Sequence, residues 1–177
     1  MQFNSSSKSG HGTGKSAGRS NGFAVNPAAT DTTHAITTPA ESTDAELLLH
    51  RARNAAYAEA ANGRLGRGLS LLQDALDQEP MSHDLLSDMG ALLLAAGQYD
   101  RAIGYAQRAL NLISHHGPSL YTLGFALAAQ RQLIPAIEVL TRLSRGGPRE
   151  SLLAEAPELA PLAEIELERL KVLLLSE

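Results

Sequence analysis

The chain has 177 residues, room for one ordinary domain with extensions, and 44 % of them are hydrophobic, enough to bury a core. Aromatics make up only 4 %, Trp is absent and Ala and Leu dominate, which favours closely packed helices over a sandwich of strands. A net charge of −4 argues against a nucleic-acid surface, and the lack of cysteine excludes disulfides, thiol catalysis and thiolate metal sites.

Residues 1–42 are Ser, Thr, Gly and Asn with scattered Ala, and only Phe3, Phe23, Val25 and Ile36 are strongly apolar. Such a segment cannot bury enough surface to offset its ordering entropy, so a disordered tail is expected. Lys8, Lys15 and Arg19 are followed by no apolar stretch, which argues against a secretory signal. The basic, Ser-rich composition has something of a mitochondrial transit peptide, but five glycines between Gly10 and Gly22 break any amphipathic face. Gly14-Lys15-Ser16 echoes a phosphate-binding loop, yet Ser9 stands where the first glycine belongs. No apolar strand precedes it and no helix-forming stretch follows, so nucleotide binding is rejected. No run approaches the roughly 18 apolar residues of a membrane span. Thr43-Asp44 ahead of Ala45-Glu46-Leu47-Leu48-Leu49 reads as a helix start. Charge shifts there as well: three bases and two acids lie before residue 43, twelve bases and seventeen acids after it.

From about residue 45 the sequence repeats with a period of 34. The step joins Ala56, Gly90 and Gly124; Leu65, Tyr99 and Leu133; Gly68, Ala102 and Ala136; Leu72, Ala106 and Leu140; and Ala75, Ala109 and Leu143. Gly63 and Gly97 match, with Arg131 the exception, and Pro80 and Pro148 end the first and third copies. Leu86, Met89 and Leu93 form an apolar stripe at helical spacing, and Gly97 just beyond them suits a cap with left-handed backbone. One helix pair cannot bury its apolar face alone, so the copies must stack. In spacing and in small residues the chain resembles the tetratricopeptide repeat, most clearly in Leu86, Met89-Gly90, Leu93, Gly97-Gln98-Tyr99-Asp100 and Ala102. The resemblance covers roughly residues 45–150 and implies an all-α, TPR-like helical solenoid. Residues 43–148 would hold three helix–turn–helix repeats, at about 49–82, 83–116 and 117–150. Residues 151–177 would form a capping region in which one long helix, Leu162 to Leu175, covers the last repeat or serves a homodimer. Pro157 and Pro161 fall where a fourth copy would need helix interior.

No catalytic constellation emerges, so no enzyme, cofactor or metal is expected. His115-His116 are adjacent, point apart on a regular element and read as a solvated loop; His50 and His83 stand alone. The resemblance implies instead a concave groove lined by the first helix of each pair, at Arg53, Tyr57, Ser87, Ala91, Leu94, Tyr121, Phe125 and Ala128. Tyr57, Asp88, Pro118 and Thr122 occupy places that a carboxylate clamp would fill with cationic or amide side chains, which leaves only Arg53. A mostly apolar trough fits an extended peptide or an amphipathic helix of another protein; Tyr121 and Phe125 serve either that trough or the core. The architecture and Gly97-Gln98-Tyr99 are also similar to the chaperones of bacterial type III secretion translocators, though Leu120-Tyr121-Thr122-Leu123 departs from that family's pattern. The resemblance implies a cytoplasmic chaperone or adaptor. The alternative is a scaffold within a larger secretion or pilus complex, tethered by its tail.

Overall fold

A computed structural model describes residues 39–176, and every regular element in them is an α-helix. Three hairpins follow one another: α1 (Pro39–Ala61) with α2 (Leu65–Gln78), α3 (His83–Ala95) with α4 (Tyr99–Leu112), and α5 (Gly117–Ala129) with α6 (Leu133–Leu143). Two further helices, α7 (Gly146–Glu155) and α8 (Leu159–Leu175), complete an all-α repeat solenoid. The expectation of disorder in residues 1–38 lies outside the described residues. At 39–42 it is corrected, because α1 begins at Pro39 rather than at Thr43-Asp44. Proline is at home in the first helical position, where its missing N–H has no intrahelical partner to lose. Among the described residues no helix is long and apolar enough to cross a membrane.

The 34-residue period is visible in the backbone. Gly63 and Gly97 close their first helices at φ +75° and +70°, and Arg131 takes the same left-handed conformation at φ +60°. Each junction carries the same pair of cap bonds. The amides of Arg64, Gln98 and Gln132 donate to the carbonyls of Glu59, Leu93 and Leu127, and those of Gly63, Gly97 and Arg131 donate to Ala60, Leu94 and Ala128. These are Schellman caps, which satisfy carbonyls that a helix end leaves bare and turn the chain sharply into the second helix.

Small residues set the approach within each hairpin. A Cβ on Gly68 would lie 2.6 Å from the Ala56 carbonyl oxygen, and one on Gly124 would lie 2.6 Å from a Leu140 methyl group. Ala102 and Ala136, one period apart, are fully buried. Two apolar clusters result, one built mainly by α1–α4 with Ala126 of α5 and the other mainly by α5–α8 with Ala106 of α4, and Ile103 packs against both.

The C-terminal region departs from the single long helix expected. Pro148 and Pro161 lie in the first turns of α7 and α8, where proline costs no backbone bond. Pro157 falls in the short link between them. α7 crosses the start of α5 so closely that a Cβ on Gly117 would stand 2.3 Å from the Leu152 amide. α8 buries Ala160, Ala163, Leu167 and Leu170, a stripe at i, i+3, i+7 and i+10, against the second cluster. It therefore caps the array as expected, with α7 inserted before it.

Candidate functional site

The first helices of the hairpins lie side by side, and their shared face forms a groove of about 590 Å³. Arg53 and Tyr57 come from α1, Ser87, Ala91 and Leu94 from α3, and Tyr121 from α5. These are six of the eight positions expected to line it. Phe125 and Ala128 are not brought there. Phe125 stacks on Tyr121, with ring centroids 4.2 Å apart, and packs against the core shared by α5–α8. Ala128 is buried beside a separate cavity of about 210 Å³ at the far end of α5, whose wall includes Arg169 and Leu173 of α8. The inserted pair α7–α8 contributes Glu155, Ala156, Glu158 and Leu159, so the groove ends in a wall that the repeat pattern did not foretell.

Arg53 is not free to meet a ligand charge. Its guanidinium donates to both oxygens of Asp88, to Oδ1 from Nη2 at 3.3 Å, while the Tyr57 hydroxyl donates to the same Oδ1 at 2.9 Å. Asp84 stands 3.6 Å from Nη1. Asp88 is buried and tolerates burial because it is paired and hydrogen-bonded. Burial alone would lower the Arg53 pKa, but the hydrogen bond and charge of Asp88 reverse this and raise it. The Tyr57 pKa is pushed up first by burial of the hydroxyl, then by the Asp88 charge and by the bond to Asp88. Its ring remains open, with Tyr57 41 % exposed. The groove thus presents aromatic and aliphatic faces, with its ion pair spent internally.

At the C-terminal end of the groove, His116 corrects the expectation of a solvated loop, being only 3 % exposed. Its Nδ1 lies 2.8 Å from Ser119 Oγ and its Nε2 lies 2.9 Å from Glu155 Oε2. A carboxylate can only accept, so in the neutral ring Nε2 carries the proton and Ser119 donates to Nδ1. Ser151 donates to Glu155 Oε1 at 2.8 Å and accepts from the Gly117 amide at 2.9 Å, which ties α7 to the start of α5. The Ser119–His116–Glu155 chain has the residue types of a nucleophilic triad, but Ser119 is wholly buried and no acyl carbon can reach its hydroxyl. His83, also expected to be isolated, meets the His116 ring edge-on at 5.3 Å.

No protein-family model matches the chain, and none of the curated proteins does. Solved structures share its fold. The type III secretion translocator chaperone SycD of Yersinia enterocolitica superposes with a TM-score of 0.59 at 20 % identity, over 70 % of this chain and 92 % of that one. SycD in complex with a peptide of the translocator YopD gives 0.58 at 20 % identity, with the same coverage. The first TPR of Spaghetti (RPAP3), bound to the HSP90 peptide SRMEEVD, gives 0.59 at 18 % identity over 75 % of this chain and 97 % of that one. The chain therefore has a tetratricopeptide-type fold, with a likeness to SycD.

Proposed function

We propose that this protein holds a segment of another protein in the groove between α1, α3 and α5, as a chaperone or adaptor rather than an enzyme. The observation that carries the reading is an open trough in which Arg53 and Asp88 neutralise one another, Glu155 and Glu158 stand at the α7–α8 wall, and Tyr57, Leu94 and Tyr121 offer aromatic and aliphatic faces. Two solved relatives in fold hold peptides, which supports this mode of use. The peptide on Spaghetti ends in an acidic stretch. With Arg53 already paired, the groove here favours an apolar extended segment or one face of an amphipathic helix. The finer reading is a cytoplasmic chaperone for a secretion translocator subunit. Affinity capture with the full chain and with Leu94→Glu tests the site: a partner retained by the first and lost by the second supports it. Equal retention by both, with unchanged folding of the variant, places the interface elsewhere.

A second reading, a subunit that self-associates within a larger assembly, has its own observation. Ile165, Val172 and Leu175 lie exposed on one side of α8 at i, i+7 and i+10, with exposures of 66 %, 66 % and 88 %. A second copy of the chain would cover this stripe, and SycD itself is described as a dimer. Sedimentation of Ile165→Glu against the parent chain decides it: a dimer that becomes monomeric supports the reading, and a parent already monomeric overturns it.

A further inference from the structure

We propose that His83, Asp84, His116 and Glu155 form a binding site for a borderline divalent cation of the zinc class. Three of these side chains can each offer a ligand atom, and those of His83, Asp84 and His116 all lie within 4.8 Å of one another. Glu155 Oε2 adds a fourth donor 2.9 Å from His116 Nε2. A tetrahedral zinc with bonds near 2.0–2.1 Å holds its donors roughly 3.4 Å apart, a spacing that the His83, Asp84 and His116 donors approach and that Glu155 joins from the side of His116. Two imidazoles with carboxylates suit zinc, whereas magnesium and calcium prefer oxygen ligands alone.

The surroundings fit that assignment. His116 uses Nδ1 on Ser119, the outer contact that orients a metal-ligating imidazole. When zinc takes Nε2, the ring proton resides on Nδ1 and is donated to Ser119 Oγ. His83, Asp84 and Glu155 are part-exposed, with side chains 34 %, 40 % and 42 % accessible, which opens a route for the ion. Two features oppose it. His83 and Gly117 begin α3 and α5, so two positive helix ends face the ion, and Arg53 stands near Asp84. Two carboxylates offset the helix ends, and Arg53 keeps Asp88 as its principal partner.

The ligands come from the start of α3, the start of α5 and the end of α7. Zinc there would staple three successive helix units, and it would do so at the groove wall, which His116 and Glu155 line.

Calorimetric titration of the chelator-treated full chain with zinc chloride tests the site, with the melting temperature followed in parallel. One equivalent should bind, and Tm should rise with zinc concentration because the ion binds the folded state. Magnesium chloride should give neither effect. His83→Gln, at a part-exposed position, should leave the zinc-free melt unchanged and weaken binding at least about tenfold, and Ser119→Ala should weaken it by about tenfold. No saturable binding, a Tm unmoved by zinc, or full affinity in His83→Gln would each overturn the proposal. The last outcome would move the ion to other histidines, His11 and His34 among them.

Discussion

Arg131 occupies the third of three equivalent helix caps, and the other two hold glycine. A side chain in the left-handed region costs about 1–2 kcal/mol that glycine avoids, while glycine loses part of that gain through its freer unfolded chain. Arg131→Gly should therefore stabilise the fold by roughly 0.5–1 kcal/mol, measured by urea unfolding. Gly97→Arg should destabilise by a similar amount. Tyr57 supplies a second test at this scale. Its ionisation is held above the ordinary value of 10.0 by burial first and by Asp88 second. The unfolded chain releases this proton as pH passes 10 while the folded state still keeps it. The contribution to stability is therefore complete below pH 10 and is lost as pH rises beyond it. Thermal melts between about pH 9 and 11 should fall less steeply in Tyr57→Phe than in the parent. Some slope should remain, because burial and then Glu166 raise the Tyr121 pKa as well. Identical slopes would mean that the Tyr57 hydroxyl is neither buried nor bound to Asp88 in solution.

Among the elements, α7 depends on one close crossing. Gly117→Ala places a methyl group against the Leu152 backbone, which cannot rotate aside. A loss of about 1–3 kcal/mol is expected, with hydrogen exchange rising first in α7 and α8 and the α1–α2 hairpin unchanged. The hairpins themselves were legible in the sequence, since Gly63, Gly97 and the 34-residue steps mark their turns and contacts directly. α7 was not, because Pro148, Pro157 and Pro161 read as helix breakers when counted along the repeat. Two of them sit in first turns, where the missing N–H is harmless. The groove was legible in part. Six positions followed from the tetratricopeptide resemblance, whereas Phe125 and Ala128 depend on how α8 folds back. The polar partners were hidden because they lie about one repeat apart: Arg53 meets Asp88 at a separation of 35 and Gly117 meets Ser151 at 34. An offset of one period is the signal that finds such pairs, since the first helices of adjacent hairpins lie side by side.

Across the whole molecule, the proposed groove and the core make opposite demands on two stacked rings. Tyr121 lines the groove, while Phe125 behind it packs into the α5–α8 core. Tyr121→Ala should weaken partner binding by about 1–3 kcal/mol, as expected for an aromatic anchor, with a smaller loss of stability from the broken stack. Phe125→Ala should reverse the order, costing roughly 2 kcal/mol of stability from a half-buried site and affecting affinity only through the ring it supports. Salt supplies the independent check. Because Arg53 is bound to Asp88, no unpaired cation from the expected groove positions is left to attract an acidic segment. Affinity for the captured partner should then change by less than about threefold between roughly 50 and 300 mM salt. A steep fall with salt, together with full binding by Tyr121→Ala, would move the interface off the groove. The outer side of α8 is then the surface to examine, since Glu168 and Lys171 lie beside its exposed Ile165–Val172–Leu175 stripe and would make contacts there sensitive to ionic strength.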